Sequence, residues 1–288
     1  MMKTRKINAF LRQLKMECRK ALINKYFLIT LAVSCMFCIL SAWYQITAYY
    51  EMLDHPFSGN PMIQMNSLYN SWIGGEGTSL GCICFFYLMP LLAAFPYGWS
   101  YAAERKSGYV KQLAVRGGRM EYYVSKYIAV FLAGGLVILI PMVMNFLAVA
   151  MFIPAVMPDM HFEMYYAVAY GTMWSEYFYT APLLYDIFYI LLNFIFSGLF
   201  AVISLACSMV VRSRIAIVLL PYFIILLLHY SRTFLYYKVY LEISPLHFLQ
   251  AKCVENNTCW WIVLLEAGVF FLVSLGMVLG VGKKRELV

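Results

Sequence analysis

The sequence has little charge. Only 12% of its 288 residues are Asp, Glu, Lys or Arg, whereas an ordinary soluble domain has about 25%. Hydrophobic residues make up 63% of the chain, and the mean hydropathy is +0.73. The composition therefore excludes an ordinary soluble domain and predicts an integral membrane protein.

Charge is almost absent from six long stretches. Crossing about 30 Å of hydrocarbon takes roughly 20 apolar residues in a helix, which satisfies its own backbone hydrogen bonds. We therefore predict an all-α integral membrane fold with six transmembrane helices in a domain over 26–288. The predicted spans are about 26–47, 79–103, 127–153, 185–211, 215–235 and 260–281.

Basic residues are missing from the loops at 48–78 and 154–184, and only three lie in the loop at 231–259. The other 19 of the 22 lysines and arginines fall before the first span, in the second-to-third and fourth-to-fifth connections, or in the tail. The positive-inside rule then predicts that both termini are cytoplasmic. Since membrane orientation accounts for the net charge of +8, we expect no nucleic-acid partner.

The basic region before the first span is about 25 residues long, the apolar run after it is longer than that of a signal peptide, and no small-x-small cleavage site follows, so we expect no cleaved signal peptide. Apolar side chains recur at steps of three and four from Ile7 to Leu22, and polar ones occupy the other face, Glu17 and Lys20 among them. This pattern predicts an amphipathic helix over 1–25 that lies in the cytoplasmic membrane interface.

The chain also lacks the groups that catalysis would need. It has no G-x-x-x-x-G-K-[ST] sequence for nucleotide phosphates. An intramembrane enzyme, the alternative that we consider, would need paired membrane carboxylates, a Ser/His pair or a His-rich zinc site. The sequence offers one carboxylate inside the last span, Glu266, and four scattered histidines. We therefore expect no enzyme activity and no metal or cofactor bound by this chain.

The sequence also supports predictions for Asp186, for His229 and for a pair of loop cysteines. Asp186 begins the fourth span, where we expect a helix N-terminal acid favoured by the helix dipole. We expect His229 to be a packing or interfacial residue. Cys253 and Cys259 share an outward loop, and their spacing permits a disulfide without requiring one.

The connection from Glu104 to Lys126 has the most informative pattern. Gly108 permits a sharp turn, Tyr109, Val110 and Leu113 give a short helix one apolar face, and the glycines at 117–118 end it. Such a helix could dock in a groove of a cytoplasmic partner. The residues alone equally allow a solvated basic loop.

This connection reads E-x-x-x-G-x-x-x-x-L-x-x-x-x-x-R-x-x-Y-x-x-x-K. Together with the interfacial helix and the order of spans and loops, it resembles the permease subunits of type-2 ATP-binding cassette exporters. The residues at the matching positions are Glu104, Gly108, Leu113, Arg119, Tyr122 and Lys126. The pair of glycines at 117–118 departs from the more polar or Pro-containing turn of many relatives.

The resemblance implies a homo- or heterodimer of permeases in the cytoplasmic membrane of a bacterial cell. ATP and Mg would be bound by a separate ATPase subunit, and the substrate would be amphipathic or hydrophobic: a peptide, a lipid-linked molecule or a drug. A sensor or immunity protein on the same fold is a further alternative. The residues expected at the ATPase contact are Glu104, Arg105, Gly108, Tyr109, Val110, Leu113, Arg116, Arg119, Lys126, Arg212 and Arg214. For the pathway or helix pairing we expect roles for Pro90, Pro96, Pro221 and Glu266.

Overall fold

The structure is a computed structural model that describes residues 2–54, 65–110, 119–239, 241–252 and 258–284. This part of the chain is helical and contains no β-strand. Of the two loop cysteines, Cys253 lies outside these ranges. The helices are α1 Met2–Leu22, α2 Lys25–Asp54, α3 Leu68–Ser71, α4 Leu80–Ala94, α5 Ser100–Lys106, α6 Arg119–Ala150, α7 Ser175–Thr180, α8 Pro182–Val210, α9 Arg214–Val239, α10 Pro245–Phe248 and α11 Trp260–Lys284.

Five helices in the described ranges are long and apolar enough to cross a membrane. They lie within α2, α6, α8, α9 and α11, over Lys25–Asp54, Met120–Ala150, Pro182–Val210, Arg214–Arg232 and Trp260–Gly280. The predicted all-α membrane class is thereby confirmed, and the protein is a multi-pass membrane protein.

The predicted second span, 79–103, is not one continuous helix. Its apolar part is α4, which has 15 residues and contains Pro90. Residues 95–99 form turns before α5 begins at Ser100. Pro96 lies in this break, and because proline has no backbone N–H it removes one helical hydrogen bond there. Pro221, in contrast, lies inside α9.

Helices α6 and α8 pack closely at the centre of the bundle. A Cβ placed on Gly134 of α6 would lie 2.3 Å from the Cβ of Ala201 on α8, so only glycine permits this approach. Small residues of this kind let neighbouring membrane helices come together without the hydrophobic effect between them.

The bundle has two distinct ends. What we call the basic end holds α1, α5 and the first turns of α6 and α9. What we call the loop end holds residues 65–79 and 241–252, where the backbone N–H of Ala251 donates to the carbonyl of Gly74 at 2.7 Å. The Tyr127 hydroxyl and the Ser274 Oγ, 2.9 Å apart, join α6 to α11.

Asp186 corrects an expectation from the sequence. It lies beyond the first turn of α8, which contains no acid, and its side chain is fully buried. Its Oδ1 accepts a hydrogen bond from the indole nitrogen of Trp72 at 3.0 Å. The carboxylate therefore fixes the 65–79 loop to the bundle, because a buried donor such as this indole needs an acceptor.

Candidate functional site

The position of Glu17 also differs from the prediction. The amphipathic pattern assigns it to the polar face of α1, yet it is fully buried where α1 packs on α6. It follows Phe10 and Leu14 and precedes Ala21 at steps of three and four, which places all four on one helix face. A buried carboxylate is costly unless it is paired, so its partners define the site.

Lys126, in the second turn of α6, is the principal partner of Glu17. Its Nζ lies 3.2 Å from Glu17 Oε2 and 2.6 Å from Glu104 Oε2 of α5. Only 1% of the Lys126 side chain is exposed. One ammonium group thus joins α1, α5 and α6 at the basic end.

Lys20 supplies the second positive charge. Its Nζ lies 2.9 Å from Glu17 Oε1 and 3.7 Å from Glu104 Oε1. We call Glu17, Lys20, Glu104 and Lys126 the four-charge cluster; its two acids and two bases balance. Burial alone would raise the pKa of Glu17, but Lys126 and Lys20 outweigh that effect and hold it below the ordinary value of 4.5.

Three tyrosines surround the four-charge cluster. The Tyr97 hydroxyl donates to Glu17 Oε2 at 3.0 Å, and the Tyr122 hydroxyl donates to Glu104 Oε2. Tyr109 accepts a hydrogen bond from Lys20 Nζ at 3.1 Å and offers its ring face to the same ammonium group, 4.4 Å from the ring centre. These contacts satisfy polar atoms that burial would otherwise leave unpaired.

The 104–126 connection is therefore held at both sides. Glu104 and Tyr109 lie in its first part and Lys126 is its last residue, and all three belong to one network. Gly108 has a φ of +73°, in the left-handed region, and Val110 is buried. Arg119 begins α6, but its side chain is outside the described part, as are Leu113, Arg116 and the glycines at 117–118.

Other predicted contact residues gather beside the connection. Arg105 and Arg212 line one groove together with Lys106, between α5 and the end of α8. Arg214 does not join them, because its guanidinium lies 4.9 Å from the centre of the Trp99 ring. Of the predicted contact residues, Glu104 and Lys126 thus belong to the four-charge cluster, and Arg105 and Arg212 line a basic groove.

Glu266 lies at the opposite end, in the second turn of α11. It is half-buried, and its Oε2 has no hydrogen-bond partner among the described residues. His229 of α9 also lies at the loop end, with its ring nitrogens 2.8 Å from Ser244 Oγ and 3.2 Å from the hydroxyl of Tyr87 on α4. His229 therefore joins α4, α9 and the segment before α10, as the packing expectation requires.

His247 of α10 completes this loop-end group. Its ring stacks on that of His229 with the centres 5.7 Å apart. Burial, together with the nearby Arg232 guanidinium, lowers the pKa of His247 to about 4, so its ring is neutral at physiological pH. In the described ranges no group of three His, Cys, Asp or Glu side chains could hold a metal ion.

Comparison with known proteins does not assign this chain to a family. No protein-family model matches this chain, and no curated protein matches it. The arrangement of side chains is therefore the basis on which a function can be assigned.

Sequence reasoning missed Glu17 and Tyr97. A signal for Glu17 was present, because it is the only acid in the first 25 residues. A single carboxylate in a basic amphipathic helix indicates a specific partner. Tyr97 gave no such signal, since it lies in a run of aromatic and apolar residues.

Proposed function

We propose that this chain is the permease subunit of an ATP-binding cassette exporter. It moves an amphipathic or hydrophobic substrate out of the cytoplasm, and a separate ATPase subunit binds ATP and Mg and supplies the energy. The chain itself is not an enzyme and works as a homo- or heterodimer in the cytoplasmic membrane.

The observation that carries this proposal is the four-charge cluster. A partner that pulls or pushes the 104–126 connection acts on Glu104 and Lys126, one at each side of it. Lys126 Nζ lies 3.2 Å from Glu17 Oε2 of α1, and Glu104 Oε1 lies 3.7 Å from Lys20 Nζ of the same helix. Lys126 and Glu104 also pair with each other. Because a buried ion pair is costly to separate, the force is transmitted to α1, α5 and α6 together.

The substrate class is supported by a concave surface between α6, α8 and α11. Its volume is about 640 Å³. Its lining is apolar, with Phe131 of α6, Ile195 of α8 and Phe271 of α11 among the contributors. Such a surface suits an apolar chain or ring system, which agrees with a hydrophobic or amphipathic cargo.

The proposal includes a sixth membrane crossing made by α4, the 95–99 turns and α5. This segment begins beside Glu76, whose carboxylate accepts a hydrogen bond from the backbone of Ser79 at the loop end. It reaches Glu17 through Tyr97 at the basic end. At about 1.5 Å per helical residue, the segment is long enough to cross despite its break.

The test is whether the connection binds an ATPase. Replacing Leu113 by Asp places a charge on the apolar face of the predicted coupling helix, and an uncompensated buried charge costs about 3–5 kcal/mol. We expect co-purification of the ATPase subunit and substrate-stimulated ATP hydrolysis to fall, while membrane abundance stays at the parent level.

The matched control is Lys111→Asp, which alters charge in the same connection at a position that the sequence pattern predicts to lie off its apolar face. If Leu113→Asp keeps full ATPase capture and stimulated hydrolysis, the connection is a solvated basic loop and the permease proposal fails.

A further inference from the structure

Three basic side chains converge on the groove between α5 and the α8–α9 turn. Arg105, Lys106 and Arg212 line it together with Ala102, Ser208 and Val211, and its volume is about 430 Å³. No described carboxylate lies within 4.0 Å of the three bases, in contrast to Lys20 and Lys126. Like charges brought together without a counter-charge repel one another, so the groove is suited to an anion.

The surroundings of the groove place it at the level of lipid headgroups. Val210, at the end of α8, is 59% exposed and Ile215, at the start of α9, is 73% exposed. Exposed apolar side chains thus flank the basic turn on both helices. Trp99 stands beside it, 4.9 Å from the Arg214 guanidinium and 4.9 Å from the ring of Tyr26. Trp and Tyr of membrane proteins concentrate where hydrocarbon meets headgroups.

We propose that this groove binds the headgroup phosphate of an anionic phospholipid. Arg105 and Arg212 donate hydrogen bonds to the phosphate oxygens, because the planar guanidinium matches phosphate in a bidentate manner. Lys106 adds a point charge at the rim. Basic pockets between membrane helices on the cytoplasmic side are the recognised environment for such headgroups.

The groove is distinct from the four-charge cluster, although Arg105 belongs to the 104–126 connection and the resemblance assigns Arg105 and Arg212 to the ATPase contact. Glu104 and Lys126 belong to the four-charge cluster, whereas Arg105 and Lys106 line the groove. Lipid binding requires no ATPase, so it can be measured on this chain alone. Its failure would leave the permease proposal standing, and the reverse holds as well.

The experiment uses the full chain in phosphatidylcholine nanodiscs that contain a small fraction of spin-labelled phosphatidylglycerol. Electron paramagnetic resonance then measures the immobilised lipid. Each basic side chain near the membrane surface adds to the binding free energy of an anionic lipid. The Arg105→Gln/Arg212→Gln variant loses two of them and should therefore bind phosphatidylglycerol about 30-fold more weakly. The control Arg12→Gln/Lys15→Gln loses the same charge from the exposed face of α1 and should change binding less than about twofold.

The outcomes decide between the sources of the anion. An equal loss in the control would show diffuse surface attraction, and an unchanged groove variant would show that the site lies elsewhere; either overturns the proposal. Displacement of the lipid by millimolar inorganic phosphate would assign the groove to a soluble anion instead. If the groove variant keeps its lipid but loses ATPase capture, the groove is a protein contact. Retained thermal stability of each variant excludes loss through misfolding.

Discussion

Lys126 holds the four-charge cluster together at the residue scale. Removing its charge leaves Glu17 buried beside Glu104 with too little positive charge, and breaking a buried pair costs about 3–5 kcal/mol. We expect Lys126→Met to lower the free energy of unfolding by that amount, as measured by denaturation in detergent micelles. The exposed Lys15→Met on α1 should change it by less than about 0.5 kcal/mol.

A double-mutant cycle identifies the partner. Because Glu17→Gln removes the charge that Lys126→Met leaves unpaired, the double variant should be less destabilised than the sum of the single variants. Fully additive losses would contradict a direct interaction between Glu17 and Lys126.

The stability that Glu17 contributes is expected to depend on pH. Its pKa in the folded protein lies below the ordinary 4.5. The stability that it contributes is therefore fully present above about pH 4.5 and is lost as the pH falls through the lowered value. The difference in unfolding free energy between the parent and Glu17→Gln should be large at neutral pH and should shrink as the pH falls below about 4.5. A constant difference over this range would show that the charge of Glu17 is not involved.

At the element scale, the start of the 104–126 connection depends on the backbone at Gly108. Its φ of +73° is unfavourable for β-branched residues, and a Cβ there would meet no atom within 4 Å. We expect Gly108→Val to reduce ATPase capture through backbone strain rather than through a clash. Gly108→Asn should retain most of it, because asparagine adopts the left-handed region more readily. Equal losses in both variants, measured by co-purification, would point to the added side chain instead.

The break in the predicted second span is also a feature of this scale. The apolar stretch 79–103 predicts one helix because its composition is continuous, but α4 ends at Ala94 and α5 begins at Ser100. Near this break Tyr97 reaches Glu17, so the turns bring a polar hydroxyl to the four-charge cluster. Hydropathy averages over such a break and cannot locate it.

At the scale of the whole molecule, the prediction is the topology. Single cysteines in a cysteine-free background at positions 60 and 165 should react with an impermeant reagent from outside. Those at positions 5, 110 and 285 should react only after permeabilisation, because the basic end faces the cytoplasm under the positive-inside rule. Labelling of position 110 from outside would invert the scheme and remove the ATPase from reach of the connection.

The sequence by itself determined the class of this protein and the existence of its long apolar helices. Length, hydropathy and missing charge are properties of continuous segments, and a helix satisfies its hydrogen bonds locally. The bounds of α2, α6, α8, α9 and α11 therefore lie near the predicted spans. Glu104, Tyr109 and Lys126 were predicted from the connection as ATPase contacts, which stays a prediction, and the structure brings all three into one network.

Only the tertiary structure decided which polar groups are paired. Glu17 and Lys126 are 109 residues apart, and Trp72 and Asp186 are 114 apart. No local pattern encodes such pairs. Amphipathic periodicity counts every charge as solvent-facing, so it placed Glu17 on the wrong face of α1. A buried charge is stable only where another element brings a partner to it, and that depends on how α1, α5 and α6 pack together.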